Sequence, residues 1–290
     1  MSRLVGFIGN RPDLGARALA LEEQAFTVRV PDDPAGATPA EGQEPGSVSW
    51  GIGFYQGGEV LLKRRPFDER RALSLGEIIR DVKAEVLVGH VRTATIGSLR
   101  TENTHPFRYR QWLFAQTGTV PSFTQLRSRL MDSIPQFLAR DVRGDTDAEI
   151  VFHLFLSFLH DASALDRPEV APATARDAIR STISLVDGLC AEEGQGPSKL
   201  NLVVACNDYV IGVRCAARMG YQVVAGRAAL ERLFGGESLS RTKIPHLATA
   251  RLSICAADFD DDRLPHGWTA VPERSTVTLS HAEEPQVAAL

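Results

Sequence analysis

The sequence changes most sharply from apolar to polar residues at the ends of two apolar runs in the middle of the chain. The apolar run 86–88 leads into His90 and Arg92, and the apolar run 112–114 leads into the polar residues of 116–118. Two apolar strands that both end in dense polar residues are typical of a sheet whose edge forms a site. An arginine at a strand end can bind a carboxylate, because its guanidinium donates two parallel hydrogen bonds. Taken alone, Arg92 is equally compatible with an ordinary surface arginine.

The same pattern predicts the remaining elements. The helix 148–159 is apolar nearly all round, which indicates a buried helix capped by Thr146 or Asp147, and we expect His153 inside it to be a core residue. The predicted strands are 3–9, 50–55, 59–63, 200–205, 209–215, 221–225 and 248–256, followed by a closing hairpin at 265–279, and the other predicted helices are 11–25, 73–82 and 173–190.

Two blocks of strands around two central helices predict an α+β fold in a single domain, with sheets packed on helices. We assign residues 1–280 to this domain. Proline, glycine and small polar residues dominate 31–47, which predicts a mobile loop; a partner-binding role and a simple tether both stay open. The tail 281–290 is predicted to be disordered.

Composition, net charge and cysteine spacing argue against several classes of function. The 290 residues are 43% hydrophobic and 23% charged, as in a globular protein with a full core. A net charge of −4 gives no reason to expect a nucleic acid or a membrane surface as partner. The four cysteines are scattered and predict neither a disulfide framework nor a metal site. We therefore expect a cytoplasmic protein that needs no cofactor.

Six motifs then occur in order along the chain. They are MSRLVGF at 1–7, WGIGFY at 50–55, HVRTAT at 90–95, ENTHPF at 102–107, QTG at 116–118 and GDTDAE at 144–149. In order and spacing they resemble the class II glutamine amidotransferases, which are N-terminal-nucleophile hydrolases, and above all their small stand-alone members. The resemblance covers residues 2 to about 280 and implies a four-layer αββα sandwich.

The resemblance implies that the residue after the initiator methionine is the nucleophile. In the family this is a cysteine, whose thiol attacks the side-chain amide of glutamine while its own α-amine accepts the proton; an α-amine has an unperturbed pKa of about 7.7–8.0. The matching residue is Ser2. Serine can fill this role when a base activates its hydroxyl, although cysteine starts as the better nucleophile. Two alternatives stay open: Ser2 is only a small residue that follows a removed Met1, or it is an engineered replacement of a cysteine.

The oxyanion position departs from the family as well. The family's His-Asn-Gly corresponds to Gln116-Thr117-Gly118, so that Gly118 keeps the backbone donor and Thr117 offers a hydroxyl in place of an amide. Losing one oxyanion donor typically costs about 10²–10³ in rate. An acidic residue that related small members carry before Trp50 is also missing here, although Trp50 itself is expected to shape the site.

In the family, a few residues bind the amino-acid part of glutamine, and we call them the amino-acid clamp. Each of them has a counterpart in this sequence. The resemblance implies that Arg92 binds the α-carboxylate of glutamine, that Asp147 binds its α-ammonium and that Thr95 supports the carboxylate. The alternative is that Asp147 only caps the helix that begins there and binds no ligand. The loop that shapes this clamp is expected to be held by Asn103, Thr104 and His105.

Two hypotheses follow. In the first, the chain keeps a clamp for glutamine or a γ-glutamyl amide but has lost efficient hydrolysis, and it acts as a ligand sensor or protein-interaction module. In the second, Ser2 is the nucleophile of an active amidohydrolase once Met1 is removed, with Thr117 and Gly118 at the oxyanion. We favour the first, because nucleophile and oxyanion groups act together and both differ. A complete amidotransferase would need a separate acceptor subunit or would release free ammonia.

Overall fold

The computed structural model describes residues 2–21, 27–29, 48–68, 72–93, 98–235, 246–257, 259 and 263–290. The strands are β1 (Arg3–Gly9), β2 (Thr27–Arg29), β3 (Val48–Gln56), β4 (Glu59–Asp68), β5 (Ala72–Ser74), β6 (Val86–Thr93), β7 (Phe107–Tyr109), β8 (Trp112–Thr119), β9 (Lys199–Ala205), β10 (Tyr209–Arg214), β11 (Met219–Ala225), β12 (Arg251–Ala257), β13 (Thr269–Ala270), β14 (Ser275–Ser280) and β15 (Gln286–Ala289). The helices are α1 (Pro12–Leu21), α2 (Leu75–Ile78), α3 (Phe123–Asp132), α4 (Gln136–Ala139), α5 (Asp147–Asp161), α6 (Pro172–Glu192) and α7 (Gly226–Leu233).

Two antiparallel sheets form the middle of the fold. The first has the strand order β13-β11-β12-β1-β6-β3-β4, and the second has the order β15-β14-β10-β9-β8-β7. Strand β1 lies between β6 and β12, with Val5 opposite Gly89 on one side and Ala256 on the other. This pairing holds the chain in a sheet from Arg3 onwards, and so it fixes Ser2 at the end of a central strand.

Alternation along the strands divides the core into layers. Leu4 and Ile8 of β1 pack between the two sheets, whereas Val5 and Phe7 pack on the opposite face, in the core that α1 and α7 cover. Helices α5 and α6 cover the outer face of the second sheet. The layers therefore run helix, sheet, sheet, helix, which confirms the predicted α+β class and its αββα arrangement. None of the described helices is long and apolar enough to cross a membrane.

Helix α5 is buried along almost its whole length, as its apolar sequence predicts. Of the two cap candidates, Thr146 is the capping residue, and its hydroxyl oxygen accepts the N–H of Glu149 at 3.4 Å. Asp147 is the first residue of the helix, and its carboxylate accepts the N–H of Ala148 in the same helix and the N–H of Val120 after β8. His153 is buried, with Nδ1 2.8 Å from the carbonyl oxygen of Glu149.

The prediction of a helix over 73–82 is wrong at both ends, since 79–82 are not helical either. The helix α2 covers Leu75–Ile78, and Leu73 belongs to β5, where it lies opposite Val28 of β2. The partner strand lies more than forty residues earlier in the chain, and its hydrogen bonds override the helical preference of the local sequence.

The predicted hairpin over 265–279 is also wrong. Strand β13 pairs with β11 in the first sheet, while β14 pairs with β10 in the second sheet. The chain crosses between the sheets at Val271, whose side chain is buried between them and whose carbonyl accepts a hydrogen bond from Nη1 of Arg214 at 2.7 Å. The turn-like sequence marks a change of sheet here rather than a return within one sheet.

The tail is ordered, contrary to the prediction for 281–290. Strand β15 pairs with β14, with Val287 opposite Val277. Arg251 ties the connecting turn to the body of the protein through Glu284, at 3.0 Å. The segment 31–47, predicted to be a mobile loop, lies outside the described residues.

Candidate active site

A cavity of about 40 Å³ is bounded by β6, β8 and the first turn of α5. It brings together residues that lie far apart in the sequence. Its lining residues are Ser2, His90, Arg92, His105, Gln116, Thr117, Gly118, Thr146, Asp147 and Ala148. Among the predicted site residues, Ser2, Arg92, His105, Thr117, Gly118 and Asp147 therefore share one cavity.

The alternation of β6 explains how its polar side chains reach the cavity. Val91 packs into the core beneath α1, so its neighbours His90 and Arg92 point to the other face of the sheet and line the cavity. Ser49 of β3 lies opposite Arg92 in the register. His90 was not among the predicted site residues, although its spacing of two from Arg92 on a strand is a signal that could have identified it.

Asp147 is held firmly by donors from three directions. Its carboxylate accepts the N–H of Val120 at 2.8 Å, the N–H of Ala148 at 2.9 Å and Nε2 of Gln116 at 3.4 Å. Burial raises the pKa of Asp147, and the two N–H groups and the positive charge of Arg92 oppose that rise. A carboxylate offers about four acceptor positions, so a further donor, such as an ammonium group, can still bind.

Arg92 lies buried opposite this carboxylate. Its Nη1 donates to the carbonyl oxygen of Asn103 at 3.3 Å. Burial lowers the pKa of Arg92, while the charges of Asp147 and Asp145 oppose that change. An arginine remains protonated under such conditions, so the cavity contains a positive guanidinium and an acidic group.

The loop that carries the carbonyl partner of Arg92 is tied to the turn before α5. Asn103 is fully buried, its Nδ2 donates to Asp145 Oδ1 at 2.5 Å and to the carbonyl of Ser98 at 2.9 Å, and its Oδ1 accepts the N–H of Asp145 at 3.1 Å. The hydroxyl of Thr104 donates to the carbonyl of Arg100 at 2.8 Å. These bonds place both residues in positions that hold the wall of the cavity.

Replacing Asn103 with alanine is expected to lower the free energy of unfolding by about 2–3 kcal/mol, because buried partners of the amide lose their hydrogen bonds. Urea denaturation of both proteins measures the change. The matched control is Asn207→Ala at an exposed asparagine, for which the change should stay within about 0.5 kcal/mol. Equal effects of the two substitutions would show that the loop does not depend on Asn103.

Two buried imidazoles meet edge to face in the wall of the cavity. The ring centroids of His90 and His105 are 4.4 Å apart, and the ring of His105 also contacts Phe107, at 4.7 Å. Burial lowers the pKa of His90 to about 3, with a further contribution from the charge of Arg92. Burial, followed by the charges of His90 and the nearby arginines, keeps the pKa of His105 well below its ordinary value. Both rings are therefore neutral at neutral pH.

The segment 116–118, predicted to form the oxyanion site, has a backbone conformation that requires a glycine. Gly118 has a φ of +86°, and a Cβ at this position would lie 1.9 Å from the carbonyl oxygen of Lys199. The neighbouring Thr117 hydroxyl is buried and has no hydrogen-bond partner among the described residues. Together with the half-buried Ser2, these residues place two hydroxyl groups and a glycine with positive φ around one small space.

One predicted site residue that the structure describes points away from this cavity. Trp50 lies on the opposite face of the first sheet, in the core beneath α1, where its Nε1 donates to the carboxylate of Asp68 at 2.9 Å. Its partner in the register is Val91, whose side chain points the same way. Thr95 lies outside the described residues. In the described part of the chain, no group of three or more His, Cys, Asp and Glu side chains is placed to hold a metal ion.

Comparison with known proteins identifies the family. The family model for class II glutamine amidotransferases matches residues 35–193, which is more than half of the chain. The chain belongs to the class II glutamine amidotransferases. The predicted resemblance to this family is confirmed.

Individual relatives agree with this assignment. The probable glutamine amidotransferase DUG3 of Saccharomyces cerevisiae is 25% identical over 215 residues, which are 71% of this chain and 60% of that protein. A putative glutamine amidotransferase of Haemophilus influenzae is 29% identical over 122 residues, or 39% of this chain and 37% of that protein. The chain thus spans well under two thirds of the length of both relatives.

A solved structure supports the fold. The crystal structure of a predicted glutamine amidotransferase from Pseudomonas aeruginosa superposes with a TM-score of 0.55 at 18% identity and covers 99% of this chain and 100% of that chain. Similarity at this level of identity shows the N-terminal-nucleophile hydrolase fold that the two proteins share.

Proposed function

We propose that this class II glutamine amidotransferase binds glutamine or a γ-glutamyl amide but hydrolyses the amide slowly or not at all, so that it serves as a ligand-sensing or protein-interaction module. One observation carries the proposal: Arg92 and Asp147 line the same cavity as Ser2, Thr117 and Gly118. A guanidinium fork suits the α-carboxylate of an amino acid, and an anionic carboxylate suits its α-ammonium.

Three features support impaired hydrolysis. Serine is a weaker starting nucleophile than the family's cysteine, and the threonine hydroxyl at 117 is shorter than the amide it replaces. The neutral imidazoles of His90 and His105 add no positive charge that would stabilise an oxyanion.

A second candidate function is an active amidohydrolase with Ser2 as nucleophile. It is favoured by the buried Thr117 hydroxyl, which has no described partner and borders the same cavity as Ser2. The α-amine of Ser2 could accept the proton from the hydroxyl once Met1 is removed. In that case the released ammonia would pass to solvent or to a separate acceptor subunit.

Binding is tested by the effect of glutamine on thermal stability. A ligand at about a hundred times its Kd stabilises the folded state by about 2.7 kcal/mol, so glutamine is expected to raise the Tm by several degrees. In Arg92→Lys the rise should largely disappear, because lysine keeps the charge but loses the two parallel donors. The matched control Arg80→Gln, at an exposed arginine away from the cavity, should keep it. A rise that persists in Arg92→Lys would contradict the assignment of the clamp.

Catalysis is tested separately, by glutamate release from glutamine with Ser2→Ala as the control. We expect no release above that control under conditions in which glutamine raises the Tm. Release that disappears in Ser2→Ala would establish the serine amidohydrolase instead. The intact mass of the protein belongs to the same experiment, because retained Met1 blocks the α-amine that this mechanism needs.

A further inference from the structure

A second cavity, of about 400 Å³, opens between β4, β7 and α5. It shares none of its lining residues with the candidate active site, although the segment 101–107 contributes to both walls. Its volume lies within the range of roughly 300–1,000 Å³ that is common for small-molecule sites. Neither the proposed binding of glutamine nor its proposed hydrolysis involves this second cavity.

The floor of this cavity is aromatic. The rings of Phe107 and Phe152 are nearly parallel, with centroids 6.3 Å apart and an interplanar angle of 15°. Tyr109 and Leu62 border the same floor and are half-buried. Phe107 and Phe152 are themselves buried, so a flat apolar group would cover mainly Leu62 and Tyr109, which is favourable in proportion to the area covered.

The rim carries four arginines. Arg110 forms an ion pair with Asp166 at 2.7 Å. The guanidinium groups of Arg64, Arg108 and Arg143 form no ion pair with any residue that the structure describes, and the first two donate only to backbone carbonyl groups there. Three guanidinium groups around one opening are suited to an oxyanion, since each presents donors in a planar fork.

Three acidic side chains share this lining with the four arginines, so its formal excess is one positive charge. The carboxylate of Glu149 accepts the backbone N–H groups of Arg143, at 3.0 Å, and Gly144, at 2.6 Å, so it serves to fix the loop before α5. Glu102 and Asp141 are the other two acidic residues of the lining, and both are exposed. Burial lowers the pKa of Arg64, with Glu102 and Glu149 opposing the change, and a partly desolvated guanidinium of this kind gains most from an added anion.

We propose that this cavity is a second binding site for a small organic anion. Its phosphate or carboxylate group would lie at Arg64, Arg108 and Arg143, and its flat apolar body would lie against Leu62 and Tyr109. The site is independent of the proposed glutamine clamp. Arg64 also donates to the carbonyl of Thr104, at 3.3 Å, next to the Asn103 carbonyl that Arg92 binds. A ligand here would therefore contact the same loop that forms a wall of the candidate active site.

Calorimetric titration of the purified full chain with phenyl phosphate and with benzoate tests the proposal. At least one of these aromatic anions is expected to bind once per chain, and more tightly than inorganic phosphate or phenol alone. The tighter of the two identifies the oxyanion. Arg143→Gln and Arg108→Gln, both at exposed positions, should each weaken binding about tenfold, because a charge-assisted hydrogen bond is lost. The matched control Arg80→Gln should bind as the unaltered protein does.

Two results would overturn the proposal. One is the absence of binding by both aromatic anions, and the other is unchanged affinity in both Arg143→Gln and Arg108→Gln. Equal affinity for inorganic phosphate and phenyl phosphate would likewise remove the role of the aromatic floor. The rise in Tm caused by glutamine should be retained in Arg143→Gln, so failure of this site and failure of the glutamine clamp give different results.

Discussion

Replacing Gly118 with alanine is expected to lower the free energy of unfolding by more than about 4 kcal/mol. The residue has a φ of +86°, which a side chain with a Cβ rarely adopts, and the new atom would lie 1.9 Å from the carbonyl oxygen of Lys199. That oxygen cannot move freely, because β8 and β9 are paired along Leu113–Thr119. Strain of this kind belongs to the small set of mechanisms that produce the largest mutational losses.

Urea denaturation of Gly118→Ala measures this loss, and Gly188→Ala is the matched control. Gly188 lies within α6, where a Cβ would meet no atom within 4 Å, so alanine there should stabilise the protein by roughly 0.5–1 kcal/mol. The two substitutions add the same methyl group with opposite expected signs. A small effect at Gly118 would mean that the turn at the oxyanion segment adapts, and glutamine should then still raise the Tm of the variant.

A fall from neutral pH to about pH 5 is expected to cost about 2 kcal/mol of stability through His90, and His105 should add to the loss in the same direction. Both pKa values lie below the ordinary value of about 6.5, at about 3 for His90. In the unfolded chain both rings bind a proton below about pH 6.5, whereas in the folded protein they stay neutral. The stability that they contribute is therefore complete above that pH and is lost, by up to about 1.4 kcal/mol per pH unit for each ring, as the pH falls towards the folded pKa.

Urea denaturation at a series of pH values tests this dependence. His90→Gln should reduce the slope of unfolding free energy against pH by about one histidine's share, whereas His160→Gln, at an exposed histidine, should leave it unchanged. If His90→Gln does not fold, the same comparison can be made with His105→Gln. A slope that is flat between neutral pH and about pH 5 would show that the two rings are protonated in the folded protein.

Elements with a strong local pattern were predicted from the sequence. Strand β1 was predicted with its observed bounds, because the six successive apolar and small residues after Arg3 are typical of a buried strand. The hairpin of β3 and β4 and the buried helix α5 were found for similar reasons, since the two-glycine turn and the apolar helix surface are properties of the segments themselves. For each of these elements, the residues that determine its structure lie within about twenty positions of one another in the sequence.

Long-range pairing accounts for two of the predictions that failed. The strands β13 and β14 lie next to each other in the sequence but join different sheets, and Leu73 is in a strand because Val28 lies opposite it. In both cases the deciding hydrogen bonds come from residues that are distant in the sequence, and the local pattern contains no record of them. The missed strand β15 is different, because it pairs with the neighbouring strand β14, with Val287 opposite Val277.

For the candidate site, the sequence by itself determined the family, the αββα fold and the chemical identity of the groups at Ser2, Arg92, Thr117 and Asp147, because ordered motifs and spacing are properties of the chain. The tertiary structure alone decided which of these groups meet. In the folded protein Trp50 points away from the cavity, whereas His90 and Gln116 line it. The second cavity forms only where β4, β7 and α5 meet. The physical reason is that the direction of a side chain is set by the register of its strand, and register is fixed by partners elsewhere in the fold.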